Sequence, residues 1–227
     1  IKLLMLKNNK KILSENKIIY KYLSKLNFNK KETFNFKNDG GYLNSKKSKK
    51  IVVTNDTIAE SIDFFKDDPA DSIAQKILTY NLSDLSALGA TPYCYTLSLS
   101  LPDNIGSKWI IKFSNKLFYL QKKYNIFLLG GDICKSKNLN ISANFFGYSK
   151  KNSILQRGLP KINDTIWVTG NIGDSYVGLL LKQKKLNIDK KFQKYFLNKY
   201  LYPEPSLLGF KLSNFSKNAI DISDGFF

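Results

Sequence analysis

The chain has 227 residues, enough for one large or two modest domains around a buried core, and a formal charge of +18 from 36 basic and 18 acidic side chains. Only one basic residue, Arg157, is an arginine, and the lysines are spread along nearly the whole chain; this argues against nucleic acid as a partner, because base and phosphate readout favours the bidentate guanidinium. Cys94 and Cys134 belong to no metal-spaced pair and no apolar run reaches the length of a membrane span, so a disulfide framework, a zinc site and a membrane protein are disfavoured and a cytoplasmic protein is expected.

The first predicted element is a surface helix over 14–26, capped by Ser14, with Ile18, Ile19, Tyr22 and Leu26 on one face. Lys-rich sequence follows, broken by Asn38-Asp39-Gly40-Gly41-Tyr42, a turn or a loop that lets a backbone approach something closely. Ile51 to Thr57 reads as a short buried strand. Its polar end, Thr54, Asn55, Asp56 and Thr57, offers the oxygen ligands that magnesium takes, although the same residues also make a competent turn. Asp68 and Pro69 supply a cap and a first-turn proline to a long helix that Gly89 ends. On that helix Ile73, Ile77, Asn81, Asp84 and Leu88 share one stripe, which places the Asp84 charge where a core-facing residue is expected. A charge there needs a partner. With no His in the chain and Lys as its nearest neighbours of opposite sign, a bound cation is one candidate; the alternative is that Ser83 or Asp84 caps a short second helix, Leu85 to Leu88.

Tyr93 to Leu101 reads as a strand, Trp109 to Tyr124 as an amphipathic helix, and Ile126 to Asp132 as a second buried strand ending in Gly130-Gly131-Asp132. Bare glycine amides there would admit a phosphate and Asp132 its metal, unless the pair is a plain hairpin turn. Another strand covers Ile141 to Tyr148, and Lys150 to Asn152 reads as a hinge into a second unit. Beyond it come a strand over Lys161 to Gly170, a helix opening at Gly173, a proline-punctuated connection from Tyr200 to Pro205, and a helix up to about Phe215. An apolar segment then ends in Asp221 and Asp224. Strands alternating with helices make the chain α/β or α+β.

Asp39, Asp56, Asp84, Asp132, Asp221 and Asp224 each sit beside Gly, Ser, Thr or Asn near an element's end. Together they point to a phosphate site with several magnesium ions, where phosphoryl transfer proceeds by positioning and charge neutralisation. No Walker sequence is present, so a P-loop enzyme is excluded as far as this chain goes.

Thr54-Asn-Asp-Thr, Asn81-Leu-Ser-Asp-Leu-Ser-Ala-Leu-Gly-Ala, Leu129-Gly-Gly-Asp, Val168-Thr-Gly-Asn-Ile-Gly-Asp-Ser and Asp221-Ile-Ser-Asp-Gly, in this order, resemble the thiamine-monophosphate kinase family from about Ser14 to Phe227. The Asn-Leu-Ser-Asp-Leu form separates that family from the aminoimidazole ribonucleotide synthetases, selenophosphate synthetases and hydrogenase-maturation dehydratases that share its fold. The resemblance implies an α+β, two-domain, aminoimidazole ribonucleotide synthetase-like fold with mixed sheets flanked by helices. It implies a dimerising, ATP- and magnesium-binding domain over 1–149 and the start of a carboxyl-terminal domain over 150–227. The implied activity is ATP-dependent phosphorylation of thiamine monophosphate to thiamine diphosphate by a homodimer. Another ATP-dependent enzyme of the same superfamily, or a non-catalytic nucleotide-binding remnant, is the alternative.

Carried over by position, Asp39, Thr54, Asn55, Asp56, Asp84, Asp132, Asp221 and Asp224 would hold magnesium. Gly131, Asp132, Arg157 and Ser223 would contact ATP, and Asp63 stands where the family contacts thiamine. The chain departs from the pattern in several places. Lys37-Asn38-Asp39 replaces Gly-Asp-Asp, Asn55 replaces a Thr, Asp63 a His, and Tyr202 an Arg, while Lys135 is the nearest equivalent of the Arg after Gly-Gly-Asp. The family's later Gly-Gly-Glu-Asp segment has no counterpart before Phe227, so a carboxyl-terminally incomplete thiamine pocket is expected.

Overall fold

The structure, a computed structural model, describes residues 14–37, 41–44, 48–150, 153–157 and 160–223. Ser14 does cap the first helix, accepting from the Lys17 amide, but the helix changes pitch twice. It runs from α1 (Glu15–Lys17) through a π segment (Ile18–Leu23) into a 3-10 turn (Ser24–Asn27). Ile18, Tyr22, Leu23 and Leu26 are buried along it.

Period-two alternation then builds the sheet. In β1 (Lys49–Ala59), Val52, Thr54 and Ile58 turn inward, while Ile51, Val53, Asn55 and Thr57 face the other way. The strand therefore runs past the predicted turn, and the polar run Thr54 to Thr57 lies within it. α2 (Ala70–Ala87) is one unbroken helix, which removes the reading of Asp84 or Ser83 as the cap of a second one. Gly89 ends it as expected, with φ +71°. The predicted Asp68 cap is not made: the position belongs to Pro69, and the Asp68 carboxylate accepts from the Phe65 amide at 3.1 Å.

β2 (Thr91–Leu101), α3 (Ser107–Tyr124) and β3 (Phe127–Lys135) form a crossover unit joining two parallel strands, and β4 (Asn140–Lys150) returns between β1 and β2. The order is β1-β4-β2-β3, with both β4 pairings antiparallel, so the sheet is mixed. α2 and α3 cover its inner face. Ile73, Ile77 and Leu85 of α2 and Ile110, Phe113 and Leu117 of α3 meet Leu97, Leu99, Ile141 and Phe145 of the strands in one core. Gly130 and Gly131 lie inside β3, not beyond its end and not in a hairpin.

The remaining chain packs as helices. α4 (Asp174–Lys182) crosses α5 (Lys190–Leu201) so closely that a Cβ on Gly178 would sit 2.1 Å from the Phe196 carbonyl oxygen. α6 (Gly209–Leu212) docks on α2, where the Ser86 hydroxyl donates to the Ser206 carbonyl and accepts from the Gly209 amide. The strand predicted over 161–170 is not formed; residues 164–169 are exposed and have no ladder partner among the described residues, because no neighbouring strand lies beside them.

Candidate functional site

Asp56 is on the inner face of β1, beneath α2. Its register against the helix is set one turn upstream of Asp84 by a buried polar pair. The Thr54 hydroxyl donates to the Asn81 side-chain carbonyl at 3.1 Å, and the Asn81 amide donates to the Ile77 carbonyl at 3.0 Å. Asn81 is fully buried, so the pair satisfies groups that would otherwise be orphaned. The sequence placed Asn81 on the core-facing stripe without giving it a role; a buried amide one helical turn before a buried carboxylate was the available signal.

The third carboxylate arrives from far along the chain. A parallel bridge joins Gln156 to Asn218, with Gln156 N–H donating to the Lys217 carbonyl and Ala219 N–H to that of Gln156. The bridge holds two segments side by side and sets Arg157 against Asp221, 3.3 Å from Nη2 to Oδ1.

Three carboxylates thus share one neighbourhood with a single guanidinium. Burial and then the charges of Asp56 and Asp221 push the Asp84 pKa up to about 7, with Arg157 as the opposing influence. Burial and the Asp221 charge likewise raise that of Asp56. One oxygen of Asp56, Oδ2, is buried with no hydrogen-bond partner. A buried acceptor without a donor, inside a group of mutually repelling carboxylates, has the chemistry of a hard-cation site. Among the described residues no three acidic side chains are near enough to close around one ion, so Asp56, Asp84 and Asp221 do not by themselves make a cation cage. A hard cation such as magnesium, bound through one or two of these carboxylates, would keep waters and take phosphate oxygens as its other ligands.

The other expected residues fall elsewhere. Asn55 lies on the opposite face of the sheet, where its amide donates to the Asn144 side-chain carbonyl at 2.9 Å. Asp132 is exposed on that same outer face, paired in register with Ser98. Gly131 is required by packing: a Cβ there would stand 1.9 Å from the Leu97 carbonyl oxygen, whereas Gly130 has open space. Asp63 turns its carboxylate onto its own loop and accepts from the Ala59 amide at 2.7 Å. Ser223 is exposed, two positions past Asp221. Asp39 and Asp224 lie outside the described residues.

The sequence pattern of the family "AIR synthase related protein, N-terminal domain" matches residues 37–149. The chain is 34% identical over 218 residues to the thiamine-monophosphate kinase of Buchnera aphidicola subsp. Acyrthosiphon pisum, covering 93% of this chain and 66% of that protein. It superimposes on the crystal structure of thiamine-monophosphate kinase from Stenotrophomonas maltophilia K279a with a TM-score of 0.76 at 34% identity, covering 83% of this chain and 61% of that one. For AaThiL complexed with AMPPCP and TMP the TM-score is 0.74 at 25% identity, covering 80% and 58%. The chain therefore spans roughly three-fifths to two-thirds of the length of these relatives.

Proposed function

We propose, on the footing that the chain belongs to the thiamine-monophosphate kinase family, that it serves ATP-dependent phosphorylation of thiamine monophosphate to thiamine diphosphate. The observation that carries this reading is that Asp56, Asp84 and Asp221, from three separate segments, act on one another's ionisation while one buried oxygen of Asp56 has no hydrogen-bond partner. An oxygen of the acceptor phosphate attacks the γ-phosphorus of ATP, the bond from that phosphorus to the β,γ-bridging oxygen breaks, and ADP leaves. A phosphate monoester is already largely dianionic near neutral pH, so the acceptor needs no general base. That suits a site made of carboxylates and one guanidinium.

Asp56, Asp84 and Asp221, with Asp39 and Asp224, would hold magnesium on the inner face, where the ion would supply charge neutralisation; Asn55 and Asp132, on the outer face, would join only through a second surface. Thr54 and Asn81 hold the two inner-face carboxylates in register. Arg157 balances Asp221 and is open enough to donate also to a phosphate, with Gly131, Asp132 and Ser223 as further ATP contacts. Asp63 is the thiamine contact in this reading.

We also propose the division into an ATP-binding unit over 1–149 and a second over 150–227, supported by the change after β4, among the described residues, from the strands of the sheet to α4, α5 and α6. A homodimer is proposed through the outer face of the sheet, where Ile51 and Val53 are 43% and 53% exposed beside Asn55 on one edge strand and Ser98 and Asp132 lie on the same face farther across. A cytoplasmic setting is proposed from the two unpaired cysteines. The test is formation of thiamine diphosphate from thiamine monophosphate with ATP and magnesium, using the product of the complete gene. Turnover that disappears with chelator is expected; folded protein with no turnover overturns the proposal.

A further inference from the structure

Lys76 is fully buried in the middle of α2, and a lysine there is not needed to fill space. An apolar side chain of the same length would do so without the penalty of desolvating an ammonium. Burial lowers its pKa to about 8, against the attraction of Asp68 and Asp63. Its Nζ reaches three groups in two separate parts of the chain. It donates to the Asp63 carbonyl at 3.0 Å, stands 3.9 Å from Asp68 Oδ2, and lies 3.6 Å from the centre of the Tyr200 ring on α5. The three partners are themselves linked. Asp68 Oδ2 accepts from the Phe65 amide and the Tyr200 hydroxyl, Asp68 Oδ1 pairs with Lys182 of α4 at 2.9 Å, and the Phe65 ring lies against that of Tyr200. Lys182 also reaches Asp67 at 3.0 Å. The loop 60–68 thus has one side on α4 and α5, and on the other Asp63 accepts from the amide of Ala59, three residues after Asp56 on β1.

We infer that Lys76 is a positioning residue whose ammonium ties the loop 60–68, at the edge of the carboxylate site, to the helical unit α4–α5, so that docking that unit and setting the loop are one event. The inference deepens the kinase reading and rests on it only in its kinetic arm.

Lys76→Met keeps the buried volume and removes all three N–H groups, so a merely space-filling role would survive it. Amide hydrogen exchange on the whole protein is the readout. The expected result is exchange about tenfold faster in both 60–68 and 190–201, with protection in β2, β4 and α3 unchanged, as the loss of a charge-assisted hydrogen bond implies. No change, or a uniform loss across the protein, overturns the inference. If Lys76→Met does not fold, Tyr200→Leu tests the same link from the other side: the loop should loosen although the substitution lies in another unit. A loop that stays protected in Tyr200→Leu also overturns it. In the kinetic arm Lys76→Met should raise the acceptor KM about tenfold while magnesium-dependent nucleotide binding holds. An inactive wild type refutes the kinase reading and leaves the exchange result standing; an active variant with unaltered KM overturns the link between clamp and site.

Discussion

Replacing Asp84 by Asn should stabilise the metal-free protein and remove its response to magnesium. The Asp84 pKa is pushed up to about 7, against about 3.9 for a free aspartate. The folded state therefore binds more protons than the unfolded one between those values. Stability from this group is fully present below about pH 4 and is lost as pH rises through about 7. At 1.36 kcal/mol per unit, holding the carboxylate ionised would cost about 4 kcal/mol, and solvent screening at a half-buried site reduces that to about 2 kcal/mol. Without divalent ions Asp84→Asn should thus raise stability at pH 8 by about 2 kcal/mol, a rise in Tm of about 4–8 °C for a chain of this size, and have little effect at pH 4. Magnesium should raise the wild-type Tm at pH 8 far more than at pH 5, and the variant's at neither. Thermal melts at these pH values, with chelator or with magnesium, decide it. A variant no more stable than wild type at pH 8, or one that magnesium stabilises equally, would refute the reading of Asp84 as a carboxylate held in place for a cation.

Asp221→Asn should lower the Asp84 titration midpoint, measured by NMR of the side-chain carboxyl, because it removes a neighbouring negative charge; an unmoved midpoint would separate the two groups. Thr54→Val should cost about 1–3 kcal/mol in urea unfolding by stranding the Asn81 carbonyl, with the helix otherwise unchanged. Gly131→Ala should be severely destabilising, on the order of 4 kcal/mol, since its Cβ would collide with the Leu97 carbonyl, while Gly130→Ala should stay within about 0.5 kcal/mol. Parity of the two glycine variants would count against the strand register.

The elements were legible wherever hydrophobic period and length agreed. α3 shows its apolar stripe at Ile110, Phe113, Leu117 and Leu120, and β2 and β4 show alternation. Asp84 was legible as an anomaly on such a stripe. What the sequence hid was long-range: that Asp221 returns beside Asp84, that Asp68 is occupied by a lysine, a second lysine and a tyrosine from elsewhere, and that Lys76 is a junction. A lysine inside a helical pattern ordinarily reads as solvent-facing, and the loop 60–68 together with Tyr200 of α5 covers this one. The missing strand over 161–170 fails for the complementary reason: its local pattern of Ile166 and Val168 is strand-like, but pairing is supplied by neighbours and not by propensity.

The run Thr54-Asn55-Asp56 shows why contiguous motif residues need not share a task. Side chains alternate across a strand, so Thr54 and Asp56 face α2 while Asn55 faces outward. The same alternation puts Ile133 inward and Asp132 outward on β3, at the opposite edge of the sheet. One layer of protein cannot bring Asn55 and Asp132 to the inner-face carboxylates. If all are used in one reaction, the substrate must wrap the sheet's rim or a second surface must close over the outer face. The polar ladder Asn55, Asn144, Thr96 across that face, with Ser98 and Asp132 beyond it, is the surface on which the proposed homodimer would have to close.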